Sequence, residues 1–161
     1  MRRAFVLTVS DRSSRGERED VSGERLAARL IELGFRVERG LVPDEAAAIA
    51  AAVRGQALRT DLVVVSGGTG IAPRDVTPQA ILPLLDYEVP GIGEAMRAYG
   101  RANTRMADLS RSFGGVLGSA LILAVPGSPA GALESLAAVE PLLDHALESL
   151  AGAARHAEES P

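Results

Sequence analysis

Residues 61–70 read DLVVVSGGTG: four consecutive apolar residues, a serine, then three glycines within four positions. A run that is apolar at every position and rich in β-branched valine suits a strand buried on both faces, as in a parallel sheet. Glycines placed directly after it let the backbone come close to a ligand and turn its N–H groups toward an anion. Working outward, Ala4 to Ser10 (AFVLTVS) repeats the strand pattern and runs into a charged stretch, 11–21, that reads as a loop. A helix is expected from an N-cap at about Ser22 to a close at Gly34, with apolar residues at three- and four-residue steps. Phe35 to Val42 reads as a second strand, and Glu45 to Leu58 as an alanine-rich helix.

Downstream of the glycines, Thr77-Pro78 predicts an N-cap followed by proline at the first helical position, with a helix to about Leu85. Residues 90–99 read as another helix despite Gly91 and Gly93. Ser112 to Val116 and Ala120 to Val125 are expected to pair as a hairpin around Leu117-Gly118-Ser119. Ser128-Pro129 repeats the cap-then-proline signal and opens a helix to about Ala154, with residues 156–161 frayed. Strands alternating with helices favour right-handed βαβ units and a mostly parallel sheet. A length of 161 residues fits one domain, 1–161, able to bury its core without disulfides.

Composition narrows the chemistry. All 17 basic residues are arginine, cysteine is absent, and the two histidines are His145 and His156. Lysine chemistry is therefore excluded, from a Walker-type phosphate lysine to a Schiff base, and so are thiol catalysis and cysteine-held metals. His145 sits at helical spacing among leucines and reads as an ordinary helix residue. What remains is Asp, Glu, Ser, Thr, Arg, backbone N–H groups or a bound metal. A net charge of −4 without a basic cluster gives non-specific nucleic-acid binding little electrostatic support. No apolar run approaches a membrane span and no signal peptide is visible, so a cytoplasmic location is expected.

In open α/β sheets ligands bind beyond the carboxyl ends of the strands. Four loops there are candidates: Ser10 to Gly16, Pro43-Asp44-Glu45, Ser66 to Gly70, and Pro126 to Pro129. Gly67, Gly68, Thr69 and Gly70 are placed to bind phosphate, although alone they also read as a tight strand–helix turn. Asp75 and Asp44 are candidate Mg²⁺ ligands, since Mg²⁺ is typically held by one or two carboxylates plus substrate phosphates. Taken singly, Asp75 is also a helix-dipole partner and Asp44 a Pro-Asp turn residue.

Taken in order, TVSDRSSRG, VPDE, SGGTGIAPRDVTP, VPGIGEAMR and LILAVPGSPAG resemble the MogA/MoaB family, the molybdopterin adenylyltransferases of molybdenum cofactor synthesis. The resembling segments span residues 7 to about 136. The resemblance implies a three-layer α/β/α domain that forms a homotrimer. It also implies transfer of AMP from MgATP to molybdopterin with release of pyrophosphate. Carried over by position, Gly67, Gly68, Thr69 and Gly70 cradle the nucleotide phosphates. By the same resemblance Asp75 is expected to be the main catalytic or metal-binding carboxylate, with Asp44 assisting. The resemblance also implies that Ser10, Asp11 and Ser14 contribute to the molybdopterin pocket and that Ser110 or Ser128 contacts the pterin's phosphate or dithiolene side. ATP enters as a substrate, no tightly bound organic cofactor is expected, and further proteins of molybdenum cofactor biosynthesis are possible partners. The alternative is a non-catalytic paralogue that binds or carries molybdopterin.

Overall fold

A computed structural model describes the backbone over residues 1–158 and side chains through Gly152. Six strands form one sheet: β1 (Arg3–Val9), β2 (Arg36–Val42), β3 (Leu62–Ser66), β4 (Tyr87–Glu88), β5 (Phe113–Leu117) and β6 (Ala120–Val125). Their spatial order is β2-β1-β3-β6-β5-β4. The first four strands in that order run parallel, while β5 and β4 are antiparallel additions at one edge. The valine run of β3 lies at the centre of the sheet, and all five of its residues are buried.

The helices are α1 (Asp11–Ser14), α2 (Val21–Glu32), α3 (Ala46–Ala57), α4 (Thr77–Ile81), α5 (Pro90–Arg101) and α6 (Pro129–Glu158). Because side chains alternate across a strand, Val64 and Val63 face opposite layers. On one side Val6, Val64 and Leu123 pack with Leu26 and Leu30 of α2, Met96 of α5 and Leu136 of α6. On the other, Leu7, Val63 and Ile122 pack with Ile49 and Val53 of α3 and Ile81 of α4. The result is the expected three-layer α/β/α arrangement. No helix among the described residues is long and apolar enough to cross a membrane.

Register sets the height of the loops. Ser66 at the end of β3 lies opposite Thr8 of β1 and Val125 of β6. The three strands therefore stop level, and the loops that follow stand side by side. The chain leaves β1 for β2 on one side, while β3 lies on the other. That makes the β1/β3 boundary the topological switch point, where such sheets open a crevice.

Several local expectations are corrected. The N-cap of α2 is Asp20, whose carboxylate accepts the Gly23 N–H at 2.9 Å. Ser22 lies one residue inside the helix and donates its hydroxyl to the Gly127 carbonyl at 2.6 Å. The stretch read as a loop from Asp11 contains the short helix α1, capped by Ser10. Thr77 does not cap α4; it is the first helical residue, and its hydroxyl goes elsewhere. That helix covers only five residues before a 3-10 turn at Leu82–Leu84. The hairpin forms one residue out of the expected position: β5 starts at Phe113 rather than Ser112, and Leu117, read as part of the turn, is a strand residue opposite Ala120, leaving Gly118 (φ +61°) and Ser119 to turn the chain. Strand β4 and the 3-10 turn Arg105–Leu109 were not expected. Helix α6 continues through Glu158, and the remainder of the expected frayed tail lies outside the described residues. His145 is an exposed residue of α6.

Candidate active site

The loops after β1, β3 and β6 meet where their glycines leave no room for side chains. A Cβ on Gly67 would lie 2.3 Å from the Val9 carbonyl oxygen, and one on Gly127 would lie 3.3 Å from Gly67 Cα. Gly67 and Gly68 also hold φ of +105° and +67°, a region that L residues with side chains rarely enter. This corner therefore requires glycine for packing as well as for any ligand.

The carbonyls of the glycine loop are all engaged. Thr77 Oγ1 donates to Gly67 O at 2.7 Å and the Thr77 N–H to Gly68 O at 3.1 Å. The Arg111 N–H donates to Thr69 O at 2.7 Å and Arg111 Nε to Gly70 O at 2.8 Å. Arg111 also reaches Asp75 O at 2.7 Å and Gln79 Oε1 at 3.1 Å. In a trans peptide the next N–H points opposite the carbonyl. The N–H groups of Gly68, Thr69, Gly70 and Ile71 are thus turned away from Thr77 and Arg111. Among the described residues none of the four has a hydrogen-bond acceptor.

Two carboxylates face the same corner. Asp75 Oδ2 accepts the Ala72 N–H at 3.0 Å, and Asp44 Oδ2 accepts the Asp11 N–H at 2.9 Å. Oδ1 of each has no protein partner among the described residues. The Asp11 carboxylate is gripped by Arg74, whose Nε and Nη2 reach it at 3.0, 2.9 and 2.7 Å. The hydrogen bonds from Arg74, then the Asp44 N–H, hold the Asp11 carboxyl below its usual range. Burial pushes Asp44 the other way, and the charges of Asp11 and Asp75 push in the same direction.

Two cavities of about 460 Å³ each flank this corner. Gly68, Asp75, Gly127 and Ser128 line both and form the ridge between them. One cavity opens over Ile71, Met96, Met106 and Leu109, with Arg97 and Ser110 on its wall. The other is bounded by Thr8, Ser10, Ser13, Arg18, Asp20 and Asp44. Of the residues expected from sequence, Gly67, Gly68, Thr69, Gly70, Asp44, Asp75, Ser10, Ser110 and Ser128 line one cavity or both.

Asp11 and Ser14 do not line either cavity. Asp11 acts on the neighbouring Asp44, and Ser14 is exposed, donating its hydroxyl to Asp11 O at 2.8 Å. Ser13, one residue earlier, is the buried serine that faces the cavity. Each step along a helix rotates the side chain by about 100°, which separates two adjacent serines that look equivalent in sequence. Asp20, Arg74, Arg97 and Arg111 were missed. Asp20 had a signal, three residues ahead of Gly23 at a helix start; Arg111 had none, because its acceptors lie about 40 residues back along the chain.

Among the described residues no group of three or more His, Asp or Glu side chains gathers to hold a metal. The donor set nonetheless fits Mg²⁺, which characteristically takes one or two protein carboxylates and completes its shell with phosphates and water. Asp44 Oδ1 and Asp75 Oδ1 are the oxygens available for it.

The sheet order and the cleft define an α/β protein of the type that takes its ligand beyond the carboxyl ends of its strands, at the switch point. A family model described as a probable molybdopterin binding domain matches residues 5–145, and the chain belongs to that family. The bifunctional molybdenum cofactor biosynthesis protein of Synechococcus elongatus is 43% identical over 152 residues, covering 93% of this chain and 48% of that protein. The molybdopterin adenylyltransferase of Escherichia coli is 38% identical over 143 residues, covering 86% of this chain and 73% of that protein. The solved structure of the molybdopterin biosynthesis enzyme MoaB from Thermus thermophilus superimposes with a TM-score of 0.85 at 51% identity, covering 94% of this chain and 98% of that one. The chain spans about half the length of the bifunctional relatives it matches.

Proposed function

We propose that this chain transfers AMP from MgATP to molybdopterin and releases pyrophosphate. The observation that carries the reading is the ridge of Gly68, Asp75, Gly127 and Ser128 shared by two cavities. A two-substrate transfer needs two pockets that meet at the reacting atoms. The names of relatives such as the Escherichia coli adenylyltransferase support the same chemistry.

In this reading an oxygen of the molybdopterin phosphate attacks the α-phosphorus of ATP. The bond from that phosphorus to the bridging oxygen breaks, and pyrophosphate carries the electron pair away. The N–H groups of Gly68, Thr69 and Gly70 hold the phosphates, and Ser128 lies at the start of α6, where the helix dipole favours negative charge. Asp75 and Asp44 would hold Mg²⁺, which would supply charge neutralisation on the phosphates. No lysine or cysteine is needed for any of this.

Three further features belong to the same reading. The protein works in the cytoplasm. It forms a homotrimer, with the exposed Tyr99, Met106 and Leu109 as the apolar surface such an assembly would cover. It passes its product to other proteins of molybdenum cofactor synthesis. A single-turnover assay with MgATP and molybdopterin tests the activity: adenylylated molybdopterin and pyrophosphate should appear in equal amounts. Molybdopterin binding without either product would replace the enzyme by a carrier.

A further inference from the structure

We propose that Thr77 and Arg111 are positioning residues that set the direction of the phosphate-binding amides without touching the substrate themselves. The inference rests on the reading of Gly67–Gly70 as a phosphate site.

The geometry is that of four consecutive carbonyls, Gly67 through Gly70, each accepting a hydrogen bond from one of two residues. Thr77 supplies its hydroxyl and its N–H; Arg111 supplies its N–H and its Nε. Each bond fixes one peptide plane, and each plane fixes the N–H that follows. Two glycines in the left-handed region would otherwise leave this loop with several accessible backbone directions. Backbone donors bind an anion well when they are already oriented, because reorienting them on binding costs free energy.

Thr77 is fully buried and packed so closely that its Oγ1 lies 2.3 Å from where a Gly68 Cβ would stand. Arg111 holds the far side of the loop through a planar fork that reaches Gly70 O, Asp75 O and Gln79 at once. A lysine presents a compact point charge and cannot span those three acceptors together. The same fork fixes the peptide that follows Asp75 through its main-chain carbonyl, while the Asp75 carboxylate itself is bonded by the Ala72 N–H.

The test measures binding of inorganic pyrophosphate and of MgATP by calorimetry, and single-turnover KM and kcat, on variants shown to be folded by circular dichroism. Arg111→Lys keeps the charge but loses the fork, and should weaken both ligands about 10-fold. Thr77→Val removes the hydroxyl at constant shape and should do likewise, while Thr77→Ser should restore binding. The loss should appear chiefly in KM for MgATP, with molybdopterin affinity unchanged. A purely structural role would lower thermal stability and leave ligand affinity of the folded protein at the parent value. If Thr77→Val does not fold, Arg111→Lys decides alone. Folded variants that bind both ligands as tightly as the parent overturn the proposal. A parent that binds neither pyrophosphate nor MgATP overturns the phosphate-site reading, and the proposal with it.

Discussion

Asp11 and Asp44 clasp each other head to tail: Asp11 Oδ1 accepts the Asp44 N–H at 3.0 Å, and Asp44 Oδ2 accepts the Asp11 N–H at 2.9 Å. The clasp joins the loop after β1 to the loop after β2 across the sheet. It occupies one oxygen of Asp44 and leaves the other for the cleft. Arg74, next to Asp75 in sequence, grips Asp11 from outside. Asp11→Ala should therefore slow adenylyl transfer about 10-fold or more by misplacing Asp44, since small displacements of reacting groups are costly. Single-turnover rates at saturating MgATP check it. A parent-like rate would mean that the clasp does not position Asp44.

Asp11 and Asp44 should titrate on opposite sides of the usual aspartate value of 3.8. Asp44 is raised, first by burial and then by its acidic neighbours. Its contribution to stability is full below 3.8 and is lost as pH rises through its folded-state value. Asp11 is lowered by Arg74, so its contribution is present above 3.8 and is lost as pH falls through its own folded-state value. Carboxyl-carbon NMR of the metal-free protein measures both. Asp75→Asn should bring the Asp44 value down, and Arg74→Ala should bring the Asp11 value up. No change in either variant would contradict the assigned causes.

A side chain at Gly68 should block phosphate approach, and the structure adds a second consequence. At φ +67° the residue sits in the left-handed region, at about 1–2 kcal/mol for an L residue, and a Cβ meets Thr77 Oγ1 at 2.3 Å. Gly68→Ala should lower the melting temperature and the MgATP affinity together. Unchanged MgATP affinity in the folded fraction would remove this loop from the site.

The homotrimer is checked by light scattering at micromolar concentration. A mass three times that of the chain is expected. Substituting Tyr99 and Met106 by serine should shift the distribution toward monomer. A monomeric parent would sink the expectation.

Much of the fold was legible because β1, β3 and β6 are buried on both faces and therefore read as nearly continuous apolar runs. The hairpin was legible from Gly118 at its turn. Strand β4 was not, since two exposed residues carry no period. Residues with local jobs misled: Ser22 and Thr77 look like caps, yet both direct their hydroxyls to distant carbonyls, those of Gly127 and Gly67. The loops of the candidate site stood out through their glycines and aspartates. Arg111 and Arg74 did not, because what they hold is brought near only by the fold.

The central claim is that Asp75 carries turnover at the ridge between the two cavities. Asp75→Asn preserves shape and the Ala72 contact while removing the charge. The measurement is the single-turnover rate of AMP transfer from saturating MgATP to molybdopterin, parent against Asp75→Asn, with Asp44→Asn alongside. A loss of about 100-fold is expected for Asp75→Asn, roughly 2.7 kcal/mol of transition-state stabilisation, with a smaller loss for Asp44→Asn and molybdopterin binding retained. Transfer by Asp75→Asn at the parent rate would contradict the assignment, leaving Asp75 as a loop and helix-start residue only.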